Sequence, residues 1–134
     1  MSRLHQYPII CTDCLVETVN FYEDHFDFVP EVEMENYFLL KHSEHDDRLL
    51  AFIDVSCNAL PKEAKKTSSG LLIRFPVHNI DAAYQQAYWE GLDIVDEPRP
   101  FECGGRHFMI RDPNGVYLDL VELEKKHRSA LVAA

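Results

Sequence analysis

A chain of 134 residues suits one compact unit or two small halves, and at 46 % hydrophobic it carries enough apolar side chains for a packed interior. No apolar run nears the roughly 18 residues of a membrane span, and the opening MSRLHQYPII lacks the apolar region of a signal peptide, so a cytoplasmic protein away from membranes is expected. The formal net charge of -10 argues against a nucleic-acid partner, because neutralising phosphates takes clustered Lys and Arg and this chain offers only the short groups KEAKK and EKKHR.

In chain order, YPIICT (residues 7–12) is an apolar run that suits a strand. Thr12, Asp13 or Cys14 can begin the helix that follows, and Asp13 is the best cap by chemistry because its carboxylate can accept an orphan N–H. In LVETVNFYEDHF, Leu15, Val19, Tyr22 and Phe26 recur on one helical face. Cys11 and Cys14 form a C-x-x-C, but no second C-x-x-C or H-x-x-x-H follows to complete a four-ligand zinc site. The pair therefore marks a strand-to-helix turn, with thiol redox chemistry as the alternative. Three strand candidates come next: FVPEVEM, NYFLLKH and RLLAFIDV.

CNALPKEAKKTSSG, residues 57–70, reads as a linker through its Pro, its Lys cluster and its Ser-Ser-Gly end. About 65 residues after the first strand the same plan recurs. LLIRFPV is a strand, Asn79 is an N-cap, and Ile80, Tyr84 and Ala87 share a helical face that stops at Gly91. LDIVDE, RHFMIRD and VYLDLVE are the strands of this half. RDPNG joins the last two, with Pro113 pre-setting φ and Asn114 and Gly115 expected at positive φ. The expected organisation is a first βαβββ module over 1–56, a linker over 57–70, a second module over 71–122 and a tail over 123–134. A half of about 50 residues buries little alone. Two curved sheets, each with one helix-covered and one open face, can enclose a ligand cavity.

This plan resembles the vicinal oxygen chelate superfamily, which includes glyoxalase I, the extradiol dioxygenases and the bleomycin-resistance proteins. FYEDHFDF (21–28) looks like that family's FY…LGF helix exit. NIDAAYQQAYWEGLDI (79–94) and GGRHFMIRDPNGVYLDLVE (104–122) carry the rest, the DPNG turn before a strand with an acidic residue being the most specific. The resemblance implies an α+β fold of two βαβββ modules and, from relatives that pair modules of two chains, a homodimer. Metal-dependent members draw His, Gln or Glu ligands from the first and last strands of each half. The matching first-strand positions here are Tyr7 and Leu72, and the last-strand Glu is replaced by Asp119; the first half offers only Asp54. That set is poor for a divalent ion. The resemblance thus implies the metal-free, bleomycin-resistance-like branch: a protein that holds a small aromatic or amphipathic molecule with no cofactor and no catalytic residues. The alternative is a lyase or dioxygenase holding a divalent metal through His5, His107 and Asp119, and a third reading is a dimerisation module with filled barrels.

Seven histidines are present, and most have a plain reading at strand ends, helix ends or the tail; His42 and His45 belong to a charged loop. His107 is singled out. Arg106 and His107 point to opposite faces of one strand, so one of them should look toward the ligand. Gly104 and Gly105 allow a close backbone approach beside them, and Phe101 can swing over the opening. The ligand-binding set expected from the sequence is Tyr7, Tyr37, Phe101, Arg106, His107, Tyr117 and Asp119. Cys103 with His107 is the only possible thiol–imidazole pair, and no nucleophile elbow, phosphate loop or dinucleotide fingerprint occurs.

Overall fold

The structure, a computed structural model, describes residues 5–101 and 104–123. It divides into two units, residues 1–69 and 70–134. Most of the expected tail, residues 124–134, lies outside the described residues.

In the first unit, β1 (Ile9–Thr12) leads into α1 (Leu15–Phe26), followed by β2 (Phe28–Met34), β3 (Tyr37–His42) and β4 (Leu49–Asp54). The sheet order is β1-β4-β3-β2, with β1 parallel to β4 and the other pairs antiparallel. The helix buries Leu15, Thr18, Val19 and Tyr22, the face that the periodicity defined. Tyr22 is fully buried and its ring lies 5.1 Å from that of Phe52 in β4. Asp13 is not the cap: the N-cap position is Cys14, which has no side-chain capping bond, and the Cys14 N–H donates to Thr12 Oγ1 at 3.0 Å. Asp13 points to solvent instead. The helix ends on Asp27 in the left-handed region (φ 60°), the position of glycine in the LGF exit pattern.

A stretch containing one 3-10 turn (Lys62–Ala64) leads to the second unit. There β5 (Leu72–Pro76) precedes α2 (Ile80–Trp89), and then come β6 (Asp93–Ile94), β7 (Arg99–Pro100), β8 (Arg106–Arg111) and β9 (Tyr117–Glu122). The order β5-β9-β8-β6, with β7 also on β8, repeats the first plan with β5 parallel to β9. Asn79 caps α2 as expected, its Oδ1 accepting from the Ala82 N–H at 3.0 Å. Glu122 adds a second acceptor, taking the Ile80 N–H at 2.7 Å; a carboxylate there also suits the helix dipole. The strand expected over 92–97 is shorter, Asp93–Ile94, and an unexpected short strand, β7, follows beyond its end. Asp96 turns its side chain onto the Met109 N–H at 3.0 Å, and Pro98 has no N–H to donate.

Each sheet has two unlike faces. In the second unit the helix-side rows across β5, β9 and β8 are Ile73–Leu118–Ile110 and Phe75–Leu120–Phe108. Leu118, Ile110 and Phe108 there are fully buried, and Tyr84 of α2 packs edge-on against Phe108 at 5.2 Å. Among the described residues no helix is long and apolar enough to cross a membrane.

Candidate functional site

The register of the β8–β9 hairpin decides what meets on the open face of the second sheet. Asp112 closes the turn: its Oδ1 accepts from the Asn114 and Val116 N–H groups at 2.7 and 2.9 Å. Gly115 supplies positive φ (80°) and Asn114 does not, correcting the expectation that both would. From this turn the pairing runs outward in three open-face rows, Leu72–Tyr117–Arg111, Arg74–Asp119–Met109 and Pro76–Val121–His107.

Asp119 lies at the centre of these rows and is only 3 % exposed. His107 Nδ1 is 2.7 Å from Asp119 Oδ1, and Arg74 Nε donates to Oδ2 at 3.2 Å. An ionised carboxylate only accepts, so Nδ1 is inferred to be the protonated nitrogen of His107. Phe101 closes the circuit. Its ring meets the His107 ring edge at 5.1 Å, and the Arg74 guanidinium lies over it at 4.8 Å. Four side chains thus form a cycle, Arg74–Asp119–His107–Phe101. The backbone secures Phe101: its N–H donates to the Gly105 carbonyl at 2.9 Å, and the Gly104 N–H returns to the Phe101 carbonyl at 2.9 Å. Gly105 (φ +88°) is packed so tightly that a Cβ would collide with the Glu122 carbonyl oxygen, so glycine is required there.

The Arg106–His107 question is resolved by the strand's parity. His107 takes the open face. Arg106 lies on the helix side, where Nη1 and Nη2 each donate to Asp81 of α2 at 3.0 Å, a bidentate pair that raises its pKa. Expected as a ligand contact, Arg106 instead ties β8 to α2. Tyr117 is on the open face with Arg111 beside it, the guanidinium 5.6 Å from its ring centre. Arg111 also donates to Asp93 at 3.3 Å. Arg74 was missed by sequence reasoning. Its signal was present in LLIRFPV, where an Arg alternates with Ile73 and Phe75 and so must leave the core.

Tyr7 and Tyr37 belong to the first unit. Their hydroxyls make a long contact of 3.4 Å, and burial, followed by the Tyr7 hydrogen bond, pushes the Tyr37 phenol up to about 12. Tyr37 sits opposite Ile53, whose other neighbour is Cys11. The Cys11 thiol faces the Ala64 carbonyl at 3.5 Å, while Cys14 lies near Thr12 and Thr18; neither is in a disulfide. Cys103 lies outside the described residues.

The family's metal-ligand positions can be tested for fit. Leu72 has no donor atom. Asp119, the one carboxylate at such a position, already has Arg74 on one oxygen and His107 on the other. Register also removes Asp54 as the first-unit equivalent. Asp119 pairs with Arg74, six residues before α2 (80 − 74), and the residue pairing with Ile9, six before α1 (15 − 9), is Ala51. Asp54 lies instead on the helix side, holding the Ser56 N–H at 2.9 Å. Among the described residues no three His, Cys, Asp or Glu side chains gather in a way that could hold an ion. The donor set does not fit a divalent metal.

Comparison with known proteins agrees with this architecture. Residues 3–120 match the family model described as the Glyoxalase/Bleomycin resistance protein/Dioxygenase superfamily. Among solved structures, a glyoxalase/bleomycin resistance protein/dioxygenase from Nocardioides superposes with a TM-score of 0.74 at 17% identity, covering 93% of this chain and 87% of its own. The bleomycin resistance determinant encoded on transposon Tn5 gives 0.65 at 19% identity, covering 91% and 99%. A lactoylglutathione lyase from Agrobacterium tumefaciens gives 0.69 at 16% identity, covering 91% and 94%. Identities this low speak for the fold alone. No curated protein matches the sequence.

Proposed function

The chain belongs to the glyoxalase/bleomycin resistance protein/dioxygenase superfamily, and from that premise we propose that it binds a small aromatic or amphipathic molecule on the open face of its second sheet without a metal and without transforming it. The observation that carries this reading is the double engagement of Asp119 by Arg74 and His107. A carboxylate neutralised in this way is a positioning group. It holds a guanidinium and an imidazole in fixed orientations beside Phe101 and Tyr117, as a binding surface requires. The reacting sets that family enzymes build around an ion need the same carboxylate free.

A homodimer is part of the proposal. Its support is the edge strand β2, which leaves Val29, Val32 and Met34 exposed, an arrangement that favours a partner on the sheet edge or face.

The test is a thermal-shift screen of small aromatic and amphipathic compounds, run in parallel with EDTA and with added Zn, Ni, Mn and Fe(II). The reading expects stabilising hits that are the same in both arms. Hits that appear only with a metal would replace it with the alternative, a metal-dependent lyase or dioxygenase.

A further inference from the structure

We propose that the molecule held at this site carries a carboxylate on a flat apolar body, and that Arg74 is the residue that reads it. The inference rests on taking the open face of the second sheet as a small-molecule site and goes further by assigning the ligand's charge.

Three observations lead there. First, Arg74 is half exposed and uses only Nε on Asp119. Its two terminal nitrogens make no hydrogen bond among the described residues. They form the end of a planar fork whose geometry matches a carboxylate bidentately. Second, the site does not suit a cation. The carboxylate at its centre is nearly covered, and both of its oxygens are engaged. The neighbouring cation, Arg111, already commits one terminal nitrogen, Nη1, to Asp93 and lies against Tyr117, so among the described residues of this face Arg74 is the guanidinium with both terminal nitrogens unused. Third, what surrounds that fork is apolar and flat. Phe101 lies under the guanidinium, and Leu72, 55 % exposed, is two residues along the same strand face. A carboxylate at the fork would set an attached ring over this apolar surface, where stacking adds to the ion pair. Asp119 and His107 then act as positioning residues, holding the fork still so that less side-chain freedom is lost on binding.

The experiment uses three probes of one shape and different charge: benzoate, benzyl alcohol and benzylammonium. Each is titrated by NMR in EDTA into the full-length protein, its Arg74→Gln variant and its Arg74→Lys variant. The expected result is that benzoate binds the wild-type protein about tenfold more tightly than benzyl alcohol, the size of one charge-assisted hydrogen bond gained. Arg74→Gln removes that preference, so that within the variant benzoate binds no more tightly than benzyl alcohol. Arg74→Lys, which keeps the charge near Asp119 and therefore guards against a folding failure, retains part of it. Benzylammonium or benzyl alcohol binding as tightly as benzoate overturns the assignment while leaving a small-molecule site standing. Benzoate binding that is indifferent to both substitutions, or that is detected neither in EDTA nor with added Zn, Ni, Mn or Fe(II), overturns it as well. A requirement for added metal would instead strike at the metal-free reading, and the Arg74 comparison would still decide the charge question.

Discussion

His107 and Asp119 are locked together across the β8–β9 hairpin, Nδ1 to Oδ1 at 2.7 Å, with Arg74 on the other carboxylate oxygen at 3.2 Å. Removing the carboxylate leaves a nearly buried imidazole and a guanidinium without the group that orients them. Because Arg74 can turn to solvent, the full penalty of a broken buried pair does not apply. Asp119→Ala is expected to destabilise the protein by about 2 kcal/mol, and Asp119→Asn, which preserves shape, by less. Urea denaturation measures both.

Gly105 has no tolerable substitute. A side chain there meets a backbone oxygen of Glu122 and must hold φ at +88°, so neither a rotamer change nor a small shift relieves it. Gly105→Ala is expected to lower stability by about 2–3 kcal/mol and to displace Phe101, which hydrogen-bonds to Gly105. Phe101 ring shifts in the NMR spectrum, compared with those of a Gly91→Ala control, separate this local effect from a general one.

Asp27 makes the opposite case. It closes α1 at φ 60°, where its Cβ is strained and glycine is not. Nothing buried depends on the side chain, since Asp27 is exposed. Asp27→Gly is expected to raise stability by about 0.5 kcal/mol, the relief of strain outweighing the added freedom of the unfolded chain. A lower denaturation midpoint for the variant would contradict this.

Tyr37 sets an alkaline limit. Its phenol is raised from 10.0 to about 12 in the folded state by burial and by Tyr7. Above pH 10 the unfolded chain therefore releases a proton that the folded chain retains, and stability falls with rising pH until the folded phenol ionises near 12. Below pH 10 the group contributes no slope. Denaturation series from pH 9 to 11.5 should show a shallower alkaline loss in Tyr37→Phe than in the wild type.

The sequence carried the elements further than it carried the site. α1 was legible because Leu15, Val19 and Tyr22 share a face, and β8 and β9 because a strong turn separates two alternating runs. The N-cap was misjudged. Asp13 has the better chemistry, but the chain enters the helix one residue later, where Thr12 takes the Cys14 N–H. The strand expected over LDIVDE was too long and β7 was not foreseen, since the side-chain bond of Asp96 depends on where β8 lies. Site geometry needed the register. Pairing across β5, β9 and β8 is what brings Arg74 to Asp119, gives His107 the open face, and makes Ala51 rather than Asp54 the first-unit counterpart of Asp119. Parity alone would have placed Arg74 outside the core. Its partner, 45 residues away, follows only from the fold.

The central claim is that Asp119 serves Arg74 and His107 and not a metal. Titration calorimetry of the EDTA-treated, dialysed protein with Zn, Ni, Mn and Fe(II), repeated on Asp119→Asn, tests it most directly. The account predicts no stoichiometric binding to the wild-type protein and no change on substitution. One equivalent of tightly bound metal that is lost in Asp119→Asn would contradict it.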